Sequence, residues 1–329
     1  MNDIRLSICI PTYNFGEFIG ETLESIIAQA GGDVEIVVGD GASTDNTAEI
    51  VKRYQLKFPR LTYKNFGYKG GVDVDIAKTV ELAKGDYCWL MSSDDVLVLG
   101  AVQLMLDEIE SGCDVYLCNR TVCDRKLRPR RRQKPWLSKR VVGDVFHFSE
   151  KLELLDYLNN SQSIGALFSY ISSIVVNRSK WNEVGYEERF AESNYAHVSR
   201  LFSLLKLAGS RLRYVKYPLV LCRGDNDSFL DKGLANRFLI DFDGYRLLGT
   251  HLFTDRGVIE SFKAVMRREH EWYLLPKLKV EVDDDKWSEI VERLHYYGYS
   301  HRELILINLL GSSKILIRIL HSVKKLLRI

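Results

Sequence analysis

Over roughly its first 100 residues the chain alternates short apolar runs with longer segments of helical apolar spacing, and this alternation restricts the fold more than any other feature. Leu6 to Ile10 reads as a buried strand halted by Pro11, and Phe15 to Ala30 as a helix with Phe18, Ile19, Leu23, Ile26 and Ile27 on one face. Glu35 to Val38 is a second strand, Asp40 to Asn46 a turn-rich loop, and Thr47 to Phe58 a second helix. Leu61 to Lys64 reads as a third strand, Val74 to Ala83 as a third helix, and Tyr87 to Met91 as a fourth strand ending at Ser92-Ser93-Asp94-Asp95. Strands joined through helices pair mainly in parallel, with helices on the sheet faces. Ligands then collect at the carboxyl ends of the strands, so the loops after strands one, two and four are the first places to look.

Beyond Gly100 the pattern gives another helix, a strand at Val115 to Cys118, and a segment from Arg125 to Arg140 that holds nine Lys or Arg residues and no acid. The region from Ser149 to Phe229 mixes helical and strand patterns, and mostly helices follow from Asp231. A chain of 329 residues suits one large domain with an appendage, or two domains. Lys and Arg total 46 against 44 acids, so the formal charge of +2 gives no global reason to expect nucleic acid. None of the six cysteines has zinc-ligand spacing, which fits a reduced cytoplasmic chain. The N-terminal apolar run is too short for a signal peptide, and Lys314 and Arg318 interrupt the most apolar C-terminal stretch, so neither export nor a membrane span is expected.

Gly39-Asp40-Gly41-Ala42-Ser43-Thr44 departs from a dinucleotide fingerprint at Thr44, and no phosphate loop of the GxxxxGK[ST] type is present. Asp40 remains as a strand-end carboxylate able to accept hydrogen bonds from a base or ribose; alternatively Asp40, Ser43 and Asp45 only cap the next helix. Asp94 and Asp95 are adjacent carboxylates after an apolar strand, which repel one another unless a cation or solvent relieves them. Magnesium or manganese bound by one or two carboxylates and completed by substrate phosphates would do so; a solvated turn or a cap for the helix near Leu99 is the other reading.

In order, Ser7-Ile8-Cys9-Ile10-Pro11-Thr12-Tyr13-Asn14, Asp40-Gly41-Ala42-Ser43-Thr44-Asp45-Asn46-Thr47, Ala83-Lys84-Gly85-Asp86-Tyr87 and Ser92-Ser93-Asp94-Asp95 resemble family 2 glycosyltransferases of the GT-A fold. Within that family, Trp89 to Asp95 and the earlier Gly71-Val72-Asp73 look most like bacterial abequosyltransferase-type enzymes of O-antigen assembly. The resemblance implies an α/β GT-A fold, with a Rossmann-like, mainly parallel sheet, helices on both faces and a helical C-terminal extension. It implies a catalytic domain over 1–230, with a nucleotide-binding half 1–100 and an acceptor half 101–230, followed by a helical region 231–329. The implied activity is inverting transfer of a sugar from a nucleotide-diphosphate donor to a glycan hydroxyl in surface-polysaccharide synthesis, with a glycan or a polyprenyl-diphosphate-linked glycan as acceptor and Mn²⁺ or Mg²⁺ as cofactor. A protein that binds nucleotide sugar without turnover is the alternative.

Residue by residue, the resemblance places Pro11, Thr12, Tyr13, Asn14 and Glu17 beside the nucleotide, Asp40 at the base or ribose, and Asp73 in the same cleft. Ser93 and Asp94 fall on the donor-binding side of the acidic motif, and Asp94 and Asp95 on its metal. Ser92 stands where many relatives carry the first Asp of an Asp-x-Asp motif. After Gly185-Tyr186-Glu187-Glu188, the string Ala191-Glu192-Ser193 puts Ser193 at the usual position of the base, leaving Glu192 as the candidate to take the acceptor proton and His197 in reserve. Arg223, after the apolar run Leu219 to Cys222, is a candidate diphosphate ligand.

Residues 312–329 carry a basic amphipathic pattern, suited to the inner leaflet of a membrane or to packing on the chain's own core or a second subunit. The 125–140 segment suits the same membrane contact, a lipid-linked pyrophosphate or a solvated loop; nucleic acid is disfavoured by the sparse aromatics and the balanced charge.

Overall fold

A computed structural model describes residues 4–139, 143–226, 229 and 233–312. They fall into two compact units, one within Met1–Ser161 and Gly165–Asn226, the other within Gln162–Ile164 and Asp227–Ile329.

The first unit contains β1 (Leu6–Thr12), α1 (Ile19–Ile27), β2 (Val34–Asp40), α2 (Thr47–Gln55), β3 (Leu61–Asn65), α3 (Val72–Glu81), β4 (Tyr87–Leu90), β5 (Val96–Leu97) and α4 (Ala101–Ile109). It continues through β6 (Val115–Val122), β7 (Val145–Phe146), α5 (Lys151–Asn160), β8 (Ile174–Asn177), α6 (Arg178–Glu183), α7 (Ala196–Leu205) and β9 (Leu212–Cys222). The strands lie in one sheet of order β3-β2-β1-β4-β8-β6-β9-β5, with β7 on β9. All four strands expected from the first 100 or so residues form, and β1, β2, β3 and β4 pair in parallel as the alternation requires.

Beyond β4 the sheet is mixed. Strand β8 runs antiparallel to both β4 and β6, while β9 runs parallel to β6. Two reversals restore direction, so β6 and β9 point the same way as β1, β2 and β4. With β3 also parallel to β2, six strand ends therefore converge on one edge, and the segment entering the reversed β8 arrives there too. That geometry positions everything described below.

Burial explains the apolar runs. Leu6, Ile8, Ile10, Val34, Ile36, Val38 and Trp89 are all buried in a core that includes Ile19, Leu23 and Ile26 of α1. At the far side, Trp136 is clamped: its Nε1–H donates to the Cys118 carbonyl at 2.8 Å, and the Arg120 guanidinium lies 3.5 Å from its ring centroid. A Cβ on Gly165 would lie 1.9 Å from that ring. Gly165→Ala should therefore destabilise the fold by about 1–3 kcal/mol through overpacking. A lower denaturant midpoint at unchanged slope would register it, and an unchanged midpoint would contradict the packing.

The second unit is helical, as expected from Asp231 onward: α8 (Leu234–Leu252), α9 (Arg256–Glu269), α10 (Pro276–Glu281), α11 (Asp284–Tyr296) and α12 (His301–Gly311). Asp255 and Asp283 accept backbone N–H groups at the starts of α9 and α11, and Ser300 with Glu303 forms a capping box on α12. Phe242, Tyr245, Phe262, Val265 and Ile290 make its core. The amphipathic helix expected over 312–329 lies, from residue 313 on, outside the described residues. Among the described residues no helix is long and apolar enough to cross a membrane.

Candidate functional site

At the end of β4, Asp95 is 2 % exposed and its carboxylate is surrounded by donors. The Tyr170 and Ser172 hydroxyls each donate to Oδ2 at 2.6 Å, and the Arg223 backbone N–H donates to Oδ1 at 2.9 Å. Tyr170 and Ser172 arrive on the segment entering the reversed β8, and Arg223 directly follows β9. Asp95 thus ties three strand ends together. Burial, and then the charge of Asp94, hold its carboxyl well above the ordinary carboxylate range.

Asp94 is only partly buried and faces a different set. The Asn226 side-chain amide donates to its Oδ2 at 2.5 Å, and the Ser92 hydroxyl donates to Oδ1. Ser92, which departs from the family motif, here orients the carboxylate that follows it. A single accessible carboxylate is what Mg²⁺ or Mn²⁺ needs when substrate phosphates and water complete the shell. Among the described residues no group of three or more His, Cys, Asp or Glu side chains could hold an ion, and the oxygen donors of Asp94 suit a hard cation such as Mg²⁺ or Mn²⁺ whose shell substrate phosphates would complete.

The Arg223 guanidinium is nearly buried, with its side chain 3 % exposed. It donates to the Asp94 carbonyl at 2.7 Å, the Arg125 carbonyl at 2.7 Å and Glu21 Oε2 at 2.5 Å, and it lies over the Phe18 ring. These contacts lock the acidic loop to α1 and to the segment after β6, leaving little of the guanidinium for a diphosphate.

The loops after β1 and β2 are stapled to each other. Asn14, with a positive φ of 58°, accepts the Thr44 N–H at 2.7 Å through Oδ1 and donates its own N–H to Ser43 Oγ at 2.8 Å. Asp40 is fully buried and accepts the Ser43 N–H at 2.7 Å and the Tyr63 hydroxyl at 2.6 Å. The turn into α2 is held instead by Asp45, which accepts from Thr47 and from the Gly16 N–H. Pro11 pairs with Gly39 in the sheet, Thr12 Oγ1 is buried without a partner among the described residues, and the Lys69 ammonium sits 4.1 Å from the Tyr13 ring centroid. Ser93 is buried, and Glu17 forms a two-pronged ion pair with Arg125 at 2.7 and 2.8 Å.

Asp73 opens α3 and is 5 % exposed; its two oxygens accept the Asn194 and Ala196 N–H groups at 2.8 and 2.9 Å. Glu192 lies on that same turn, exposed and at a positive φ of 65°. His197 is buried with Nε2 3.0 Å from the Phe168 carbonyl oxygen, and burial pushes its pKa down to about 4, so it stays neutral.

The basic segment is ordered in its described part. Arg125 pairs with Glu17, Arg128 with Asp124, and Arg130 with Asp225 at 2.6 Å, while a bridge joins Cys123 to Pro129. Two of its cations, Arg125 and Arg130, are therefore paired with acids brought from elsewhere in the fold.

Sequence reasoning missed Tyr170, Ser172, Asn226, Glu21 and Asp75. Asp75 is 5 % exposed, and its Oδ1 has no hydrogen-bond partner among the described residues. A Cβ on Gly41 would lie 2.6 Å from its Oδ2, so a larger residue beside Asp40 would have to displace the Asp75 carboxylate. Burial first raises the Asp73 and Asp75 carboxyls to about 6 from the ordinary 3.8. A carboxyl raised in the folded state binds more protons there than when unfolded, so these groups add stability as pH falls toward about 6 and below. Groups such as Asp124, depressed by the hydrogen bond from Arg128, withdraw stability only in acid. Asp95, raised by burial as well, acts with them, while the buried His197, depressed to about 4, withdraws stability over the same range. The melting temperature in chelator should therefore rise less, or fall more, from pH 8 to pH 6 in Asp73→Asn than in the wild type, and identical profiles would refute the burial of that acid.

Residues 7–183 match the family model described as glycosyl transferase family 2. The chain is 36 % identical over 274 residues to the abequosyltransferase RfbV of Salmonella typhimurium, covering 81 % of each. It is 25 % identical over 183 residues, 55 % of this chain and 56 % of the relative, to a Campylobacter jejuni GalNAc(5)-diNAcBac-PP-undecaprenol beta-1,3-glucosyltransferase. A solved structure of S. aureus TarS 1-349 in complex with UDP superposes with a TM-score of 0.63 at 17 % identity, over 89 % of this chain and 80 % of that one. A Pyrobaculum calidifontis mannosyltransferase in complex with GDP-Man and Mn²⁺ gives 0.54 at 14 % identity, over 98 % and 87 %. At such identities the last two speak for the fold alone.

Proposed function

The chain belongs to glycosyl transferase family 2, and on that premise we propose that it moves a sugar from a nucleoside-diphosphate donor to a hydroxyl of a polyprenyl-diphosphate-linked glycan, at the cytoplasmic face of a bacterial membrane. It is an inverting glycosyltransferase of surface-polysaccharide synthesis. The abequosyltransferase relative supports a deoxyhexose as the donor sugar, and the Campylobacter relative supports a lipid-linked acceptor.

The observation that carries this reading is the common edge on which Asp40 and the Asp94–Asp95 pair close the ends of parallel strands. Asp40 and Asn14 shape the nucleotide end. Asp94, held by Asn226 and Ser92, would hold the divalent ion together with donor phosphate oxygens. Bound there, such an ion supplies positive charge against the diphosphate leaving group. Asp95 serves that site indirectly, because its three donors fix the loop that aims Asp94.

Glu192 takes the proton of the acceptor hydroxyl as that oxygen bonds to the anomeric carbon. The bond from that carbon to the phosphate oxygen breaks on the opposite side, so the configuration inverts and the nucleoside diphosphate leaves.

A melting-temperature screen against UDP-, GDP-, CDP- and dTDP-sugars, with and without Mn²⁺, tests the donor half. One nucleotide series should stabilise the protein in a metal-dependent way, and labelled sugar from it should appear in a polyprenyl-diphosphate oligosaccharide. A panel in which no donor shifts the melt or turns over would defeat the proposal.

A further inference from the structure

We propose that Asp73 is a positioning residue for the transfer step: from the first turn of α3 its carboxylate clamps the 192–196 turn and sets Glu192 against the acceptor. This rests on Glu192 being the base.

The clamp joins residues 121 apart in the chain, with Oδ2 on the Asn194 N–H at 2.8 Å and Oδ1 on the Ala196 N–H at 2.9 Å. The turn it holds is strained. Glu192 and Asn194 both have φ of 65°, and neither is glycine. Side chains in that region are strained, and they persist only where the surroundings over-determine them. Within the turn the Ser193 N–H donates to the Phe190 carbonyl, and the Tyr195 N–H to Ser193 Oγ. Those local bonds leave the N–H groups of Asn194 and of Ala196, the first residue of α7, to Asp73. The same turn of α3 carries Asp75, whose carboxylate occupies the space a side chain on Gly41, beside Asp40, would take. One short rigid element therefore contacts the nucleotide end with one carboxylate and the Glu192 turn with the other.

A buried acid that merely caps α7 would stabilise the fold without regard to Glu192. A double-mutant cycle separates the two roles. Asp73→Asn keeps one acceptor and places an amide N–H₂ against the second N–H. It should slow transfer by about 10–100-fold, the scale of a small misplacement of a reacting group. Donor KM and nucleoside-diphosphate affinity should stay at the wild-type level. The Asp73→Asn/Glu192→Gln double variant should transfer no more slowly than Glu192→Gln alone. Asp73→Ser, which retains one acceptor, runs through the same cycle if the asparagine variant is insoluble.

Multiplying losses in the double variant, or wild-type transfer by Asp73→Asn and Asp73→Ser beside a silenced Glu192→Gln, would overturn the positioning role alone. Wild-type transfer by Glu192→Gln would remove the base assignment itself, and the inference with it.

Discussion

Glu192→Gln is expected to lower sugar transfer by about 10²–10⁴-fold while nucleotide affinity stays at the wild-type level, the range for loss of a general base. The substitution preserves size and hydrogen-bonding capacity and removes only the ability to take a proton. Glu192 is suited to that task by exposure: the acceptor must come from solvent, and the other candidate, His197, is buried, neutral and bound to the Phe168 carbonyl. The strained backbone at Glu192 is a second sign, because non-glycine residues at positive φ gather where function over-determines geometry. Initial rates with saturating donor and acceptor, alongside nucleoside-diphosphate titration, decide the matter. A variant within threefold of wild type would mean that another group accepts the proton.

Asp94→Ala should be comparably damaging for a different reason. Removing the partly exposed carboxylate takes away the protein's ligand for the divalent ion whose charge would offset the departing diphosphate, a loss of about 10²–10³-fold in turnover by analogy with other preorganised electrostatic groups. Metal-dependent stabilisation by the donor should vanish with it, while the melting temperature of the free protein changes little. Asp95→Ala should behave in the opposite way. It strands the Tyr170 and Ser172 hydroxyls and the Arg223 N–H, each unsatisfied buried group costing about 1–3 kcal/mol, so the free protein itself should melt earlier. If Asp95→Ala left the melt unchanged and Asp94→Ala lowered it, the division of labour within the pair would be reversed.

The first 100 residues were readable because their cues are local. Alternating periods place β1 to β4, and parallel pairing then puts Asp40 and Asp94–Asp95 at strand ends without further information. The adjacent acids announced a site, yet which of them faces outward depends on Tyr170, Ser172 and Asn226, residues 75, 77 and 132 positions away in the chain. Arg223 looked available because it follows an apolar strand. Its partners Glu21, Asp94 and Arg125 come from three separate segments, and no sequence period links them. The basic 125–140 run read as one block of charge for a similar reason: the acids that neutralise Arg125 and Arg130 are Glu17 and Asp225, distant in the chain and adjacent only once β1, β6 and β9 are assembled into one sheet.

By itself the sequence determined the α/β layering, the strand ends that carry acids, and the family, since side-chain periodicity and short motifs act over a few residues. Only the tertiary structure decided that β8 reverses direction, that Asp95 is buried behind Asp94, and that Asp73 holds the turn of Glu192. Those outcomes depend on which distant segments share a sheet edge, and a buried carboxylate takes its role from whichever donors the fold brings within about 3 Å of it.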